Sequence, residues 1–182
     1  MGFDLHGIAP EINEQEAEIL TKHSWANVPA DVKKEYWAAS DKHEKANPGI
    51  YFRNNNWWWR PLWTYVTTLC SDILSSKDIE KGGWNNNQTI SKTKAVKIAK
   101  RILREATNGT LDKYAQDYKA MLAACKKEKC DHCKDASKTD KTCLYCKGTK
   151  ERESWAKSYP FSVENAVDFA NFARESGGFS IS

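Results

Sequence analysis

The residues with the clearest chemical capability are four cysteines arranged in two CxxC pairs. Cys130 and Cys133 form the first pair (CDHC), nine residues follow, and Cys143 and Cys146 form the second pair (CLYC). Two short turns that each present two thiolates supply the four soft ligands that a tetrahedral zinc ion takes. Gly148, just after the second pair, allows the backbone to turn tightly under the metal. The spacing therefore predicts a structural Zn2+ bound by all four cysteines.

Two other kinds of chemistry use CxxC pairs and are weighed against the structural site. A redox CxxC follows a strand at the start of a helix, whereas both pairs here lie in a polar, lysine-rich stretch. A catalytic zinc of the deaminase type needs a His-x-Glu partner and a proline before the CxxC, but Lys129 precedes Cys130. His132, inside the first turn, is an alternative ligand that could replace one thiolate. The pattern favours a closed structural site over a redox or a catalytic one.

Residues 125–150 are predicted to form a zinc-binding module within the domain, because a metal ion can replace the core that so short a segment lacks. Residues 126–157 contain ten Lys or Arg residues and six Asp or Glu residues, which gives a formal charge of +4. Four thiolates bound to Zn2+ subtract two charges and leave +2. This weak excess favours a solvated face, and a nucleic-acid-binding zinc module is the alternative interpretation.

Two stretches rich in tryptophan and asparagine form the second candidate site. They are GIYFRNNNWWWRPLW, residues 49–63, and GGWNNNQT, residues 82–89. Tryptophan rings can stack on a base, while asparagine and arginine can hydrogen-bond its edges or phosphates, so the pattern predicts a pocket for a nucleotide-like ligand. The alternative is that the tryptophans fill the core and the asparagines form turns. The predicted ligand-binding residues are Arg53, Asn54, Asn55, Trp58, Arg60, Trp84 and Asn86.

The elements that must position these residues are predicted to be mainly α, and α+β at most. Apolar residues recur at helical spacing on both sides of the zinc turn, which predicts a helical body. The zinc turn itself is expected to be of a treble-CxxC type. Short strands are expected at both ends of the chain. Phe3 and Leu5 alternate with polar residues as in a half-buried strand, and residues 179–182 are expected to add an edge strand. The predicted helices cover residues 11–23, 30–45, 61–73, 94–107, 111–125 and 162–175.

The length and composition of the chain indicate one domain, residues 1–182, that is able to bury a core without covalent crosslinks. A net charge of +4 is mild and does not by itself indicate a nucleic-acid-binding protein. The polar start of the sequence does not fit a signal peptide, and the sequence has no run of 18 apolar residues. We therefore expect an intracellular protein without membrane contact.

Four segments together resemble a group of small bacteriophage-encoded proteins of unassigned function. They are MGFDLHGIAP, GIYFRNNNWWWRPLW, the paired CxxC motifs and YPFSVENAVDFANFARESGGF, and the resemblance covers most of the chain. In those relatives the first motif leads almost directly into the second, which implies that residues 11–47 are an inserted helical hairpin. The resemblance implies a phage origin and action in the host cytoplasm, and it transfers no catalytic residues.

No motif in the sequence indicates an enzyme. A nucleophile elbow, a P-loop, a dinucleotide-binding glycine motif and an HExxH motif are all absent from it. We therefore expect a non-enzymatic phage accessory protein that binds a host protein or a nucleotide-like small ligand, with a role in countering host defence. The alternative partner is nucleic acid, for which binding would fall steeply as salt rises.

Overall fold

The structure is a computed structural model that describes residues 2–133 and 143–182. Residues 134–142, which belong to the predicted zinc module, lie outside the described residues. The strands are β1 Gly2–Gly7, β2 Tyr51–Asn55, β3 Gln88–Ser91, β4 Glu128–Lys129, β5 Glu151–Arg152 and β6 Gly178–Ile181. The helices are α1 Glu18–Lys22, α2 Lys33–Ala46, α3 Asn56–Leu69, α4 Ser76–Trp84, α5 Lys92–Thr107, α6 Thr110–Ala124 and α7 Val163–Glu175.

A four-stranded antiparallel sheet, in the order β2-β1-β6-β3, joins the two ends of the chain. The alternation in β1 buries Phe3 and Leu5, as the sequence predicted. The prediction of an edge strand after residue 178 was wrong, because Ile181 pairs with both Leu5 and Gln88 and so places β6 inside the sheet. Gly178, with φ of +97°, allows the chain to turn from α7 into this interior position.

Helices α5 and α7 pack against each other and cover the sheet, with α3 beside them. The apolar stripe of α5 and the extent of α7 were predicted, and Ile98, Ile102, Phe169 and Phe172 are almost completely buried. Full burial of an aliphatic or aromatic side chain of this size contributes about 1.5–3 kcal/mol, so these stripes account for much of the stability of the body. The described part is mainly helical with antiparallel strands, within the predicted mainly α or α+β class.

Helix α3 begins earlier than the sequence predicted. We expected Pro61 to start it, but the helix begins at Asn56 and Pro61 lies within its second turn. The reason is the Asn55 side chain, whose Oδ1 accepts hydrogen bonds from the backbone N–H groups of Trp57 (3.0 Å) and Trp58 (3.1 Å). The three consecutive tryptophans therefore belong to the first turn of the helix and not to a loop before it.

The segment over residues 11–47 is less helical than expected. A helix over 11–23 was predicted, but only α1 forms there, because Ile19 and Leu20 are its only apolar residues with partial burial. Helix α2 confirms the prediction for 30–45 within a few residues, and α1 and α2 contact each other. Whether these residues are an insertion relative to other proteins stays a prediction.

Helix α6 continues directly towards β4 and thus towards the CxxC turns. The apolar helical face on which Cys125 falls predicts that it lies in the core. It is only partly buried at the end of this helix, and its Sγ lies 3.5 Å from the Met121 carbonyl oxygen. Among the described residues, 2–133 and 143–182, no helix combines the length and the apolar character that crossing a membrane requires.

Candidate metal centre and adjoining tryptophan–arginine surface

The four cysteines of the two CxxC pairs converge on one point. Their sulfur atoms all lie within 4.8 Å of one another, with 3.8 Å between Cys130 and Cys143 and 3.4 Å between Cys133 and Cys146. A tetrahedral ion with metal–sulfur bonds of about 2.3 Å places its sulfur ligands about 3.8 Å apart. A disulfide would require about 2.05 Å, so the four thiols are free and spaced to bind one metal ion.

Short backbone hydrogen bonds hold each CxxC turn in shape. Strands β4 and β5 pair antiparallel, and the Cys130 N–H donates to the Lys150 carbonyl oxygen over 2.9 Å at the end of this ladder. In the second turn the Lys147 N–H donates to the Cys143 carbonyl oxygen over 2.7 Å. Gly148 has φ of +86°, which agrees with the tight turn that the sequence predicted after the second pair. The two turns and the paired strands together are called the metal hairpin below.

The surroundings of one sulfur stabilise its negative charge. Burial alone would raise the pKa of the Cys146 thiol, but hydrogen bonds from Cys133 and Cys143 and from the backbone N–H groups of Gly148 and Lys150 lower it to about 6. A thiolate is the form that binds a metal ion. Cys146 therefore ionises more readily than Cys130 and Cys133, because burial raises the pKa of Cys130 and the hydrogen bond with Cys146 raises the pKa of Cys133.

An aromatic contact joins the two CxxC turns across the centre. The His132 ring stacks on the Tyr145 ring with centroids 3.8 Å apart and planes 6° from parallel. His132 and Tyr145 each occupy the third position of their CxxC motif, so the contact joins equivalent positions of the two turns. It leaves the imidazole outside the four-sulfur group, which argues against His132 as a replacement ligand.

Arg152 connects the metal hairpin to an exposed indole ring. Its Nη2 lies 3.1 Å from a Glu128 carboxylate oxygen and 3.0 Å from one of Asp131, and its guanidinium carbon lies 4.7 Å from the centre of the Trp155 ring. Trp155 in turn lies parallel to Trp57 of α3, with ring centroids 6.2 Å apart and planes 4° apart. The hairpin thus contacts the helical body through the first tryptophan of the WWW run.

A second arginine–tryptophan contact lies on the other side of the start of α3. The Arg60 guanidinium carbon lies 4.8 Å from the centre of the Trp84 ring, and Asn56 Oδ1 accepts a hydrogen bond of 2.8 Å from Arg60 Nε. Trp84 reaches this position because Gly82 lets α4 lie against the Trp63 ring, where a Cβ atom would be only 2.4 Å from a ring carbon. The two tryptophan-rich stretches therefore do meet in the fold.

The two contacts are linked through Tyr159. Tyr159 lies 4.9 Å from the Trp57 ring and shares with Arg60 a cleft of about 330 Å³ between α3 and α6. The exposed fractions are 39% for Trp57, 52% for Trp155 and 62% for Trp84, which is far more than core tryptophans have. We define the tryptophan–arginine surface by Trp57, Arg60, Trp84, Arg152, Trp155 and Tyr159.

The WWW run divides between core and surface. Trp59 is fully buried, and its Nε1 donates a hydrogen bond of 2.9 Å to the Gly82 carbonyl oxygen. Trp58 is half-buried, whereas Trp57 is exposed. The core interpretation is therefore correct for Trp59. The exposed ring of the run is that of Trp57 and not that of Trp58, for which a ligand-binding role stays a prediction.

The predicted ligand-binding residues separate into different environments. Arg60 and Trp84 are brought together, but Asn54 is buried and donates a hydrogen bond of 3.0 Å to Asn165 Oδ1. Asn55 is used to cap α3. These two asparagines therefore serve the fold.

Two further predicted residues lie apart from the Arg60–Trp84 contact. Arg53 is exposed on β2, where its Nε lies 3.7 Å from a carboxylate oxygen of Asp4. Asn86 is exposed after α4, and its N–H donates to the Lys81 carbonyl oxygen over 3.3 Å. A ligand-binding role for either of them stays a prediction.

Four residues of the surface are absent from the predicted ligand-binding set. Trp57 is the neighbour of the predicted Trp58 in the WWW run. Arg152, Trp155 and Tyr159 lie in the stretch ERESWAKSYP, whose many charged residues led us to read it as the solvated end of the zinc module. One signal in the sequence could have revealed these residues. Trp155 and Tyr159 are large apolar residues in an otherwise polar stretch, and such residues need a packing partner elsewhere in the protein.

Comparisons of the chain with protein-family models, with curated proteins and with solved structures of other proteins found no match. Function must therefore be inferred from the geometry and chemistry of the site itself.

Proposed function

We propose that the metal ion is zinc and that its role is structural. Soft thiolate ligands select zinc over hard cations such as Mg2+ and Ca2+. With four protein ligands around one ion, no coordination position is left for a water molecule or a substrate, which is the arrangement of structural zinc sites. The burial of Cys130 and Cys146 supports this role, since both side chains are almost inaccessible to solvent.

The proposed work of the zinc ion is to position the metal hairpin. The hairpin has few apolar residues of its own, so a bound ion would replace the missing core and fix both CxxC turns. It would thereby fix Arg152 and, through it, the position of Trp155 beside Trp57. The metal and the tryptophan–arginine surface are thus parts of one functional unit in this proposal.

We further propose that the protein is a non-enzymatic binding protein and that the tryptophan–arginine surface binds a partner protein. One observation carries this proposal: three tryptophan rings are exposed where the metal hairpin meets the helical body, and two of them contact partly buried arginines. Tryptophan, tyrosine and arginine are the residues that contribute most of the binding energy at protein interfaces. Leaving such rings exposed without a partner would be an aggregation hazard.

A protein partner suits this surface better than a small ligand does. The cleft beside Arg60, at about 330 Å³, lies at the small end of the range for ligand pockets, roughly 300–1,000 Å³. The rings of Trp84 and Trp155 lie outside that cleft and would add nothing to a small ligand inside it. A nucleotide-like ligand is the other outcome that the experiment below can return.

The biological setting in this proposal follows from the sequence resemblance described above. We propose a phage accessory protein whose partner is a host protein, with a role in countering host defence. The short chain and its open aromatic surface support a role in occupying a partner's surface.

The proposal is tested by substitution of the exposed rings. Tagged wild-type protein is used to capture partners from a lysate of the host bacterium, and the captured protein is then purified and its affinity measured by calorimetry. The double variant Trp84→Ala/Trp155→Ala should bind at least about tenfold more weakly, since the loss of even one interface hot spot costs about 2 kcal/mol or more. Trp25→Ala, which removes a ring that is 75% exposed but outside the surface, is the matched control and should bind as wild type does.

Equal affinity of the double variant and wild type would contradict the proposed surface. Capture of a compound of a few hundred daltons in place of a protein would transfer the function to a nucleotide-like ligand. The circular dichroism melting curve of each variant shows whether lost binding results from unfolding.

A further inference from the structure

Helix α5 carries a concentration of positive charge that the tryptophan–arginine surface does not use. Between residues 92 and 104 the helix has six Lys or Arg residues and no Asp or Glu. The whole chain has a net charge of only +4, so this helix is far more basic than the protein around it. The cations are Lys92, Lys94, Lys97, Lys100, Arg101 and Arg104.

Four of these cations line one cleft of about 420 Å³ between α5 and the turn that follows α3. The opposite wall is formed by Asp72 and Ile73, and Arg104 pairs with the neighbouring Glu105 over 2.9 Å, so four cations meet two carboxylates, a formal charge of +2. Lys97 and Lys100 are exposed there. The four cations are Lys97, Lys100, Arg101 and Arg104.

Arg101 is held in a fixed orientation within the cleft. Its Nη1 donates a hydrogen bond of 2.8 Å to the Leu69 carbonyl oxygen, and its two terminal nitrogens contact both carboxylate oxygens of Asp72. Hydrogen bonds from Arg101 lower the pKa of Asp72 to about 2, so this pair keeps its charges at neutral pH. Arg101 therefore has a fixed position in the cleft, and Lys97 and Lys100 are exposed cations beside it.

We propose that this face of α5 binds the phosphate backbone of nucleic acid. From Lys97 to Arg104 the cations extend along about 10 Å of helix, at a rise of about 1.5 Å per residue. A nucleic-acid strand places one phosphate for every 3.4 Å or so of helix axis, so this length faces about three phosphates. Charge complementarity and the regular spacing of the cations are the observations that identify this partner.

An acidic protein segment fits the cleft less well than a phosphate backbone does. Protein interfaces have an apolar centre surrounded by polar residues, and among the described residues that line this cleft Ile73 alone is apolar. Phosphate contacts need charge and little apolar area. The location also differs from the zinc module, where a basic face was considered from the sequence.

The test measures binding of a fluorescein-labelled 20-base-pair DNA duplex by fluorescence anisotropy between 50 and 200 mM salt. Wild type is compared with Lys97→Glu/Lys100→Glu and with Lys126→Glu/Lys127→Glu, which makes the same change in net charge at two exposed lysines beside the metal hairpin. With about three phosphate contacts, the slope of log K against log salt should be about −3 for wild type and about −1 for the α5 variant. At 100 mM salt the α5 variant should bind at least about tenfold more weakly, and the control should stay within about threefold.

Three results would overturn the proposal. They are no binding by wild type at 50 mM salt, equal loss in both variants, and a poly-glutamate peptide that displaces the duplex at equal charge concentration. Absence of binding would exclude nucleic acid as the partner. Equal loss in both variants would show that the affinity depends only on the net charge of the protein. Displacement by poly-glutamate would assign the cleft to an acidic protein. Unchanged melting curves of both variants establish that their folds are intact.

Discussion

At the scale of single residues, the best-supported prediction is that four cysteines bind one metal ion. Only those at 130, 133, 143 and 146 converge, although the chain has six cysteines. Cys143→Ser should lower the ratio of metal to protein from about one to well below one, because a hydroxyl does not replace a thiolate as a soft ligand. The measurement is elemental analysis by mass spectrometry after gel filtration.

Cys125→Ser is the matched control for that substitution. Cys125 is also partly buried and lies five residues before the first CxxC pair, but outside the four-sulfur group. It should retain the full metal content. Full metal content in Cys143→Ser would remove Cys143 from the ligand set.

Asp78 is a buried carboxylate whose charge should make stability depend on pH. Burial opposes ionisation, but hydrogen bonds from Lys94 and Ser75 outweigh it and hold the pKa of Asp78 below its ordinary value. Gln88 Nε2 donates a further hydrogen bond of 2.7 Å to it. Because the pKa is lower in the folded protein than in the unfolded chain, this stabilisation is complete above the unfolded value, about 3.9, and is lost as the pH falls below it.

Urea unfolding between pH 3 and pH 7 tests this assignment. Asp78→Asn should lower the free energy of unfolding by about 2 kcal/mol at pH 7, and by much less at pH 3, since it removes hydrogen bonds to a charged group. Glu80→Gln, at an exposed carboxylate of the same helix, should parallel wild type throughout. An Asp78→Asn deficit that is the same at every pH would contradict the assigned charge.

At the scale of elements, a buried asparagine at the end of the segment over residues 11–47 holds the start of that segment in place. Asn47 Oδ1 accepts hydrogen bonds from the N–H groups of Asn13 (2.7 Å) and Glu14 (3.0 Å), and its Nδ2 donates to the Glu14 carbonyl oxygen (2.8 Å). Asn47 is itself fully buried. Its side chain therefore replaces the strand partner that this irregular segment lacks.

Asn47→Ala should loosen this segment more than the rest of the molecule. Each backbone group left without a partner costs about 1–3 kcal/mol, so hydrogen exchange over residues 11–32 should accelerate at least about tenfold. Asn86→Ala, at an exposed asparagine, is the control and should leave exchange unchanged. Uniform acceleration over the whole chain would show that the segment unfolds only together with the body.

Helices with long apolar stripes were predictable, whereas elements defined by partners in the fold were not. Helix α5 repeats apolar residues at helical spacing and α7 has a Ser162 cap that accepts the Asn165 N–H, so local sequence determines both. Strands β2 and β3 contain runs of asparagine or border them, a composition that favours turns, and only pairing with β1 and β6 makes them strands.

The candidate site likewise has one part that was predictable from the sequence and one part that was not. The four metal ligands were predicted because metal coordination imposes a short-range spacing that the sequence displays directly. The tryptophan–arginine surface depends on contacts between distant residues, such as Trp57 with Trp155 and Arg60 with Trp84. No local pattern encodes which of the many tryptophans face each other, so only part of this surface was expected.

At the scale of the whole molecule, the metal hairpin is attached to a body that has its own core. Besides the Trp57–Trp155 contact, the Tyr118 hydroxyl donates a hydrogen bond of 3.1 Å to the Tyr159 carbonyl oxygen, and α6 contacts the short 3-10 helix Trp155–Ser158. The core of the body, by contrast, is formed by the sheet with α3, α5 and α7. The hairpin and the body should therefore respond differently to loss of the metal.

Removal of the metal by a chelator should release the hairpin and leave the body folded. Hydrogen exchange should accelerate strongly over residues 128–133 and 143–158, while α5 and α7 keep their protection. The fluorescence of the tryptophans should shift to the red as Trp57 and Trp155 lose their contact. Loss of protection throughout α5 and α7 would mean that the metal supports the entire fold.

The most direct test of the central claim, that four cysteines bind one zinc ion which holds the exposed tryptophan–arginine surface in place, is a native mass spectrum of the purified protein. The predicted result is one zinc ion per chain, lost on denaturation, with wild type and Cys125→Ser alike and Cys143→Ser empty. A native mass equal to that of the chain alone, or one that shows iron in place of zinc, would contradict the claim.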